Sequence, residues 1–205
     1  GKGIRGSLLT TLCLIGFSLL FALPLGIGGA IYLAIYAKDT SLTRAIRTLI
    51  DVTSGIPSII FGLAGALIFI PFMNGITGHT GGSIFSGSLT LAIMLLPTIV
   101  KTVEESIKVV PASLSQASLA LGASKVQTIF KVIIPNSLPG ILSATLLSIG
   151  RIIGESAALI FSMGAVIGDN VSLLNGQASL AVHIWTCLQG ESPQYGSACA
   201  ISIII

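Results

Sequence analysis

Long uncharged apolar blocks are the feature of this sequence that most restricts its fold. Of the 205 residues, 53% are apolar and only 8% are charged, whereas a soluble domain carries about 25% charged residues. Several blocks reach the roughly 18 to 20 residues that a helix needs to cross the hydrocarbon core of a bilayer. We therefore predict an all-α fold, a polytopic transmembrane helical bundle, because a membrane β-barrel would show short alternating segments instead.

Five apolar runs are predicted to enter the membrane. The first, residues 7–37, would be roughly 46 Å long as one helix, against a hydrocarbon core of about 30 Å. It must tilt, break or project into water, and the predicted break is Pro24-Leu25-Gly26-Ile27-Gly28-Gly29, because proline removes a helix donor and glycine lowers helix propensity. The other runs are residues 56–73, a weaker one at 84–100, 138–167, and a last one that begins at 198. Since the chain stops inside this last run, we expect it to be a fragment.

The basic residues indicate how the chain is oriented. Lys and Arg in short loops stay on the cytoplasmic side, and one set of loops holds Lys38, Arg44, Arg47, Lys101, Lys108, Lys125 and Lys131. The opposite loops, residues 72–83 and 168–194, contain no Lys or Arg. We therefore expect residues 38–52 and 101–135 to face the cytoplasm. Lys2 and Arg5 break this rule, which is acceptable if an earlier helix sets the topology.

Several other features carry little functional weight. The net charge of +3 is spread along the chain, so nucleic acid is not an expected partner. The three cysteines form neither an even set nor a Cys-x-x-Cys pair. His79 and His183 lie far apart in sequence without other ligands at metal spacing, and we expect no metal site. The outer segment 177–188 is too short to span and is expected to form an interfacial or re-entrant helix, or a lid over the bundle.

The polar segment 101–135 is predicted to form a helix, a turn and a second helix. Lys101 with Glu105, and Glu104 with Lys108, are spaced i,i+4 and support a helix that leaves the membrane. A new helix is expected after Pro111, with Gly122 as its stop. The apolar stripe of this helix consists of Leu114, Ala117 and Leu121, and a second apolar face, made by Val126, Ile129 and Phe130, is expected to end at Pro135.

Within this segment, Gln116-Ala117-Ser118 precedes Gly122 and then Val132-Ile133-Ile134-Pro135. The pattern resembles the E-A-A, three residues, G, nine residues, I-x-L-P loop of importer permeases of the ATP-binding-cassette class, with the same spacing throughout. Gln116 in place of Glu is the one departure that removes a charge; Ser118, Val132 and Ile134 replace Ala, Ile and Leu. The resemblance implies that Gln116, Ala117, Ser118, Gly122, Val132, Ile134 and Pro135 form a coupling loop that docks on an ATPase. The alternative is an ordinary amphipathic connector between two spans.

Further segments resemble the phosphate-importer permeases, and more closely the A-type subunit than its C-type partner. They are residues 24–34, 54–62, Leu96-Pro97 before Lys101 and Glu104-Glu105, and Arg151-Ile152-Ile153-Gly154-Glu155-Ser156-Ala157. The resemblance implies a MetI-like fold, with residues 1–205 as one transmembrane domain and 101–135 as its coupling loop. About five spans of a six-span subunit of the bacterial inner membrane would then be present.

The same resemblance implies the partners of the chain. A second phosphate permease subunit would complete the path, an extracytoplasmic phosphate-binding protein would deliver the substrate, and an ATPase dimer would bind ATP and Mg. No G-x-x-x-x-G-K-[ST] loop occurs in the sequence, so no cofactor is expected on this chain, which is not expected to be an enzyme. Two alternatives stay open: a permease for another oxyanion such as molybdate or sulfate, and a non-transporting membrane scaffold in phosphate signalling.

Two charges are predicted inside the fourth span. Arg151 and Glu155 are four residues apart and would share a helix face. A charge at the centre of a membrane helix costs at least about 2.5 to 3.5 kcal/mol, so such groups usually face a cavity and pair. Arg151 is therefore a candidate for binding the oxygens of a passing phosphate while Glu155 holds it in place. An equally weighted alternative is a purely structural pair.

Prolines and a glycine near the spans are candidate hinges for alternating access, because proline weakens the helix around it. They are Pro24, Gly55, Pro57 and Pro97. The alternative is that these positions are static kinks.

Overall fold

The computed structural model describes residues 4–189 and 192–205, and these residues are helical with no strand. The helices are α1 (Arg5–Ile31), α2 (Ser41–Ser54), α3 (Ser58–Thr77), α4 (Ile84–Val109), α5 (Ala112–Ala120), α6 (Lys125–Thr128), α7 (Ile134–Gly154), α8 (Ala157–Ser162), α9 (Leu180–Gln189) and α10 (Tyr195–Ile204). Two π-helical segments, Tyr32–Tyr36 and Ile129–Ile133, continue α1 and precede α7. The predicted all-α class is confirmed. Lys2, which broke the orientation rule, lies outside the described residues.

In the described part of the chain, four helical stretches are long and apolar enough to cross a membrane. They are Arg5–Tyr36, Ser58–Thr77, Ile84–Val109 and Lys125–Gly154, with lengths of 32, 20, 26 and 30 residues. The first two agree with the predicted runs to within a few residues. The third begins where predicted but continues to Val109, so the first part of the predicted polar segment belongs to α4.

The predicted break at Pro24–Gly29 is wrong, because α1 is continuous through these residues. A break inside a bilayer would leave several backbone groups without water to bond. A continuous helix that lacks only the hydrogen bond of the proline is therefore lower in free energy. Gly26 serves packing instead: a Cβ at this position would lie 2.5 Å from Cγ2 of Ile99 on α4. The glycine therefore permits a close approach of two helices rather than an interruption of one.

The predicted fourth span, residues 138–167, is wrong at both ends. The helix already begins at Lys125 and passes through Pro135, so the second helix of the loop does not end there. The wider π turn at Ile129–Ile133 lies directly before this proline and accommodates a ring that would otherwise clash with the preceding turn. At the other end, α7 stops at Gly154, and the short helix α8 follows.

The described residues form two compact units. The first comprises the described parts of Gly1–Phe21, Gly55–Met94 and Ile149–Ile205. Small residues bring its helices together: a Cβ on Gly62 of α3 would lie 2.7 Å from the Cα atom of Ala158 on α8. Ser86 of α4 donates to the carbonyl of Ser162 at 2.7 Å. Close backbone approach and hydroxyl bonds of this kind are typical of helix contacts in membranes.

A row of polar contacts attaches α9 and the segment before it to the start of α1 within the first unit. Ser7 Oγ lies 2.9 Å from His183 Nδ1, and Thr10 Oγ1 donates to Gln177 at 3.3 Å. The segment predicted to be a short outer helix or lid is thus the ten-residue helix α9, bound to α1 by side chains.

The second unit comprises Ala22–Ser54 and Leu95–Ser148. It contains α2, α5, α6, the later residues of α1 and α4, and most of α7. Here α4 and α7 pack closely, since a Cβ on Gly140 would lie 2.2 Å from the Ser106 side chain, whose hydroxyl donates to the Ser137 carbonyl at 3.1 Å. All the contacts described for the polar segment 101–135 lie in this unit.

Candidate functional site

The predicted helix, turn and helix are present between α4 and α7. Helix α5 begins directly after Pro111, and Gly122 follows its end with φ +86°, a left-handed conformation that favours glycine. The amide of Gly122 donates to the Leu119 carbonyl at 3.0 Å, and that of Ala123 donates to the Ser118 carbonyl at 3.2 Å. These two bonds form a Schellman motif, which satisfies two carbonyls in the last turn of α5 and closes the turn.

A capping box starts the second arm of the loop. Ser124 Oγ accepts from the amide of Gln127 at 3.2 Å, and Gln127 Oε1 accepts from the amide of Ser124 at 2.9 Å. The Ser-x-x-Gln spacing is the sequence signal for this cap, and sequence reasoning missed it.

A hydroxyl pair joins the two arms. Ser118 Oγ lies 2.9 Å from Thr128 Oγ1, so the serine that departs from the importer pattern, where alanine is usual, bonds one arm to the other. Thr128 is buried beneath this contact. The loop is therefore held in shape by its own backbone caps and by one side-chain bond between its arms.

The outer surface of the loop is exposed and partly apolar. None of the nine residues of α5 is buried, and Leu121, just after it, is 89% exposed. The other exposed large apolar side chains of the loop are Leu114, Leu119, Val126 and Phe130. Gln116 and Ala117 are exposed on α5 as well, whereas Val132 and Ile134 are half-buried and Pro135 is exposed on the arm that leads into α7. A closed turn with uncovered apolar side chains is suited to docking on another protein.

A cation–π contact joins this loop to the end of the first span. The Lys125 ammonium, at the start of α6, lies 4.3 Å from the centroid of the Tyr36 ring. Tyr36 is the last residue of the π-helical segment that continues α1. Such contacts stabilise exposed sites by about 0.5 to 1 kcal/mol.

A cluster of charged side chains lies between α2 and α4. Arg47 pairs with Glu104, whose carboxylate also accepts from Lys108 Nζ at 2.7 Å. Glu104 is only 6% exposed, so its two cations offset the cost of burying its charge. A second pair joins Lys101 Nζ to Asp51 Oδ1 at 2.6 Å. The predicted Glu104 and Lys108 pair is confirmed, whereas the role of Arg47 was missed because its partner is 57 residues away in sequence.

This cluster lines a small open cavity of about 160 Å³. The cavity walls carry Arg47, Asp51, Lys101, Glu104 and Lys108. Arg47 has a further partner here, because its Nη2 donates to the backbone carbonyl of Leu33 at 3.0 Å. One guanidinium thus touches the end of the first span and the end of α4 at once.

Contrary to the prediction, Arg151 and Glu155 do not lie inside one helix. Arg151 lies in the last turn of α7, whereas Glu155 follows the end of that helix. Glu155 is 9% exposed, and its Oε1 accepts from the amide of Ala158 at 3.1 Å. The carboxylate therefore satisfies a backbone donor in the first turn of α8 and stabilises the start of this helix.

The candidate hinge residues occupy two kinds of position. Pro24 and Pro97 lie inside the continuous helices α1 and α4. Gly55 and Pro57 lie between α2 and α3, and Pro57 directly precedes the first residue of α3. Pro57 is thus a helix-start proline rather than a kink within a span, and hinge motion at all four positions stays a prediction.

Apolar helices of spanning length, two of them joined by an exposed helix–turn–helix, define a polytopic membrane protein. The chain belongs to the family described as binding-protein-dependent transport system inner membrane component, which matches residues 22–205. The predicted family is therefore confirmed.

Curated relatives agree with this family. The chain is 40% identical over 159 residues to the Bacillus subtilis (strain 168) protein named probable ABC transporter permease protein YqgI, covering 78% of this chain and 52% of the relative. It is 33% identical over 209 residues to the phosphate transport system permease protein PstA 1 of Mycobacterium tuberculosis (strain CDC 1551 / Oshkosh), covering 99% of this chain and 67% of the relative. The chain thus spans about half to two thirds of the length of these relatives. The predicted resemblance to A-type phosphate permeases is confirmed.

The fold is also similar to that of solved structures. A chain of the MetNI methionine ABC transporter in an inward-facing conformation matches with a TM-score of 0.70 and 22% identity, covering 99% of this chain and 86% of that chain. An amino acid ABC transporter crystallised with histidines matches with a TM-score of 0.62 and 17% identity, covering 97% and 85% of the two chains. These similarities confirm the MetI-like fold.

Proposed function

We propose that this chain forms part of a permease subunit of an ATP-driven phosphate importer in the bacterial inner membrane. The observation that carries the proposal is the closed, exposed loop from α5 to α6, in a chain similar to phosphate permeases. Two permease subunits form the path, a binding protein delivers phosphate, and an ATPase dimer that holds ATP and Mg supplies the energy.

Docking of α5 on the ATPase couples hydrolysis to transport in this proposal. The loop presents the exposed apolar side chains of Leu114, Leu119 and Leu121. The orientation expected from the basic residues places this loop in the cytoplasm. Burying about three leucines in a groove provides up to roughly 1.5 to 3 kcal/mol for each side chain, before the cost of association is counted.

Arg151 is the residue that we propose for the anion path. It lies in the last turn of α7 and is half-buried, and its planar guanidinium matches the oxygens of phosphate. Glu155, which holds the first turn of α8, serves this site by fixing the chain just after Arg151. Arg151→Lys is expected to weaken phosphate uptake at low phosphate concentration, because a lysine cannot make the bidentate contact. Normal uptake by this variant would remove Arg151 from recognition.

The test is ATP-dependent uptake of radioactive phosphate into vesicles that hold the full-length subunit with its partners. Gly122→Pro is expected to abolish uptake, because proline cannot adopt φ +86° and the turn must open. The matched control is Gly122→Asn, since asparagine tolerates the left-handed region, and it should retain most of the activity. Equal uptake by the proline variant and the wild type would contradict the coupling role.

The same vesicles distinguish phosphate transport from the transport of another oxyanion and from the absence of transport. Excess molybdate or sulfate should leave phosphate uptake unchanged if phosphate is the substrate. Uptake of one of these anions in place of phosphate would support the alternative oxyanion permease. ATPase association without flux of any of the three anions would support a membrane scaffold.

A further inference from the structure

Arg47 contacts two other helical segments of the second unit, in addition to the helix that carries it. We propose that Arg47 is a positioning residue that clamps the end of the first span to α2 and α4, so that the three move together when the ATPase acts on α5. The proposal rests on the proposed function, because it concerns the same coupling step.

The geometry uses both ends of the guanidinium fork. Nη1 donates to Glu104 on α4, and Nη2 donates to the Leu33 carbonyl at 3.0 Å. A guanidinium has donors in a rigid plane, so it can hold two acceptors in fixed relative positions, whereas a lysine ammonium is a compact point charge. The side chain of Glu104 is 8% exposed and that of Arg47 is 37% exposed, so water competes little for the Glu104 end of the contact.

The backbone carbonyl of Leu33 needs a hydrogen-bond donor from outside its own helix. Its π-helical segment ends at Tyr36, and the next residue, Ala37, is extended with ψ 122°. Carbonyl groups in a last helical turn have no amide ahead of them in the helix and need another donor. Arg47 supplies this donor to Leu33 from a different helix. The contact therefore fixes where the first span ends relative to α2.

The clamp is close to the element that would receive the force. Only Val110 and Pro111 separate the end of α4 from the start of α5, and Glu104 lies in the last two turns of α4. A displacement of α5 by the ATPase therefore acts first on the turns that hold Glu104 and Lys108.

A second, independent contact leads from the loop to the same end of the first span. It is the cation–π contact of Lys125 with Tyr36, three residues after Leu33. The end of the first span is thus held from α2 by Arg47 and from α6 by Lys125. This double attachment gives the loop a contiguous chain of contacts to the span, which is one physical route by which coupling can travel.

A plain ion pair is the competing explanation, in which Arg47 only neutralises the buried Glu104 carboxylate. The two explanations differ in what the Leu33 contact does. Exchanging the charges at three positions, Arg47→Glu with Glu104→Arg and Lys108→Glu, restores both ion pairs that residue 104 makes in the wild type. It still sets a carboxylate against the Leu33 carbonyl, and both are acceptors. The clamp predicts that the exchange fails to restore function, and the ion pair predicts that it succeeds.

The experiment compares Arg47→Lys with the wild type in the full-length assembled complex. Arg47→Lys keeps the charge but cannot hold both acceptors as a fork. The control is Arg44→Lys on the same helix, where Arg44 and its partner Asp39 have side chains 68% and 87% exposed. Two quantities are measured: hydrogen exchange of the amides in residues 34–47, and phosphate taken up per ATP hydrolysed.

We expect Arg47→Lys to raise exchange in residues 34–47 by about tenfold, the factor lost with a charge-assisted hydrogen bond. It should also lower phosphate uptake per ATP, while Arg44→Lys leaves both quantities unchanged. Wild-type values in Arg47→Lys, or full coupling in the charge-exchanged triple variant, would overturn the clamp. If the wild type takes up no phosphate, the proposed function fails, and the exchange measurement alone decides whether Arg47 is a clamp.

Discussion

His183 is a buried titratable side chain near one end of α9. Its ring nitrogen lies 2.9 Å from Ser7 Oγ, and the neighbouring Thr11 accepts from the amide of Leu180 at 3.0 Å. Burial lowers the pKa of His183, because a charged imidazolium is poorly solvated there. The neutral ring is therefore the form that the folded protein favours.

The burial of His183 should make stability depend on pH. Because the folded pKa of His183 lies below the unfolded value of about 6.5, the unfolded state binds more protons in this range. The contribution of neutral His183 to the free energy of unfolding is then fully present above about pH 6.5, and it decreases as the pH drops below that value. We expect the melting temperature of the purified protein to fall between about pH 7.5 and 5.5, and to fall less in His183→Gln.

His79→Gln is the matched control, because His79 is exposed. It should keep the pH dependence of the wild type. If the melting temperature falls equally with pH in His183→Gln and in the wild type, another group causes the pH dependence.

The role of a single residue could be predicted where the neighbouring sequence marks it. Gly122 was expected to stop a helix, and the structure gives it φ +86° after α5. Arg47 was missed as a contact residue, since nothing local marks an arginine whose partners are 57 and 14 residues away. Glu155 was placed in the same helix as Arg151, but α7 ends at Gly154, and i,i+4 spacing defines a shared face only inside one helix.

At the scale of elements, the second arm of the loop depends on the cap formed by Ser124 and Gln127. Ser124→Ala removes the side-chain acceptor of the capping box and should cost about 0.5 to 2 kcal/mol of local stability. We expect faster hydrogen exchange of the amides in residues 125–128 and faster cleavage of the loop by protease. Exchange is measured by mass spectrometry on the assembled complex.

Ser115→Ala is the control for this change, because the Ser115 hydroxyl only bonds back to the Ala112 carbonyl within α5. Its exchange should stay close to that of the wild type. Similar exchange in both serine variants would mean that the cap contributes little to the order of the loop.

Membrane-spanning helices were predicted well where the length of an apolar run defines them. They were predicted poorly where a proline was taken as the end of a helix. Pro24 and Pro135, which were predicted to break or end a helix, both lie inside continuous helical stretches. Proline rules are derived largely from helices in water, where a broken turn is solvated, whereas a bilayer offers no such compensation. The π-helical segments before Ala37 and before α7 have no simple sequence signal, and they were not predicted.

At the scale of the whole molecule, the distribution of basic residues predicts which loops share a side of the membrane. The test is labelling by a membrane-impermeant maleimide after Cys13, Cys187 and Cys199 have been replaced. Gln116→Cys should be labelled only in inverted vesicles, and His79→Cys only in right-side-out ones, because both side chains are exposed and the loops face opposite sides.

Labelling of both positions from one side would contradict the predicted orientation and, with it, docking of α5 on a cytoplasmic ATPase. Labelling in the unpermeabilised and permeabilised states of each preparation controls for vesicle leakage.

The membrane class, the family and the shape of the loop could all be predicted from the sequence. Each depends on a pattern that persists over many residues or on a spaced motif, such as Gln116 to Pro135. Contacts between distant segments could not be predicted, because Arg47 with Glu104, or Ser7 with His183, depends on packing that no periodicity records.

The closed turn at Gly122 has a consequence for the thermodynamics of partner binding. Ordering a flexible backbone costs about 1 to 2 kcal/mol for each residue at the moment of association. In this loop, the Schellman bonds, the Ser124 cap and the Ser118 to Thr128 bond hold the backbone in shape without a partner. A preorganised surface of this kind can bind tightly over a small area and can pass on a displacement without first losing it to local rearrangement.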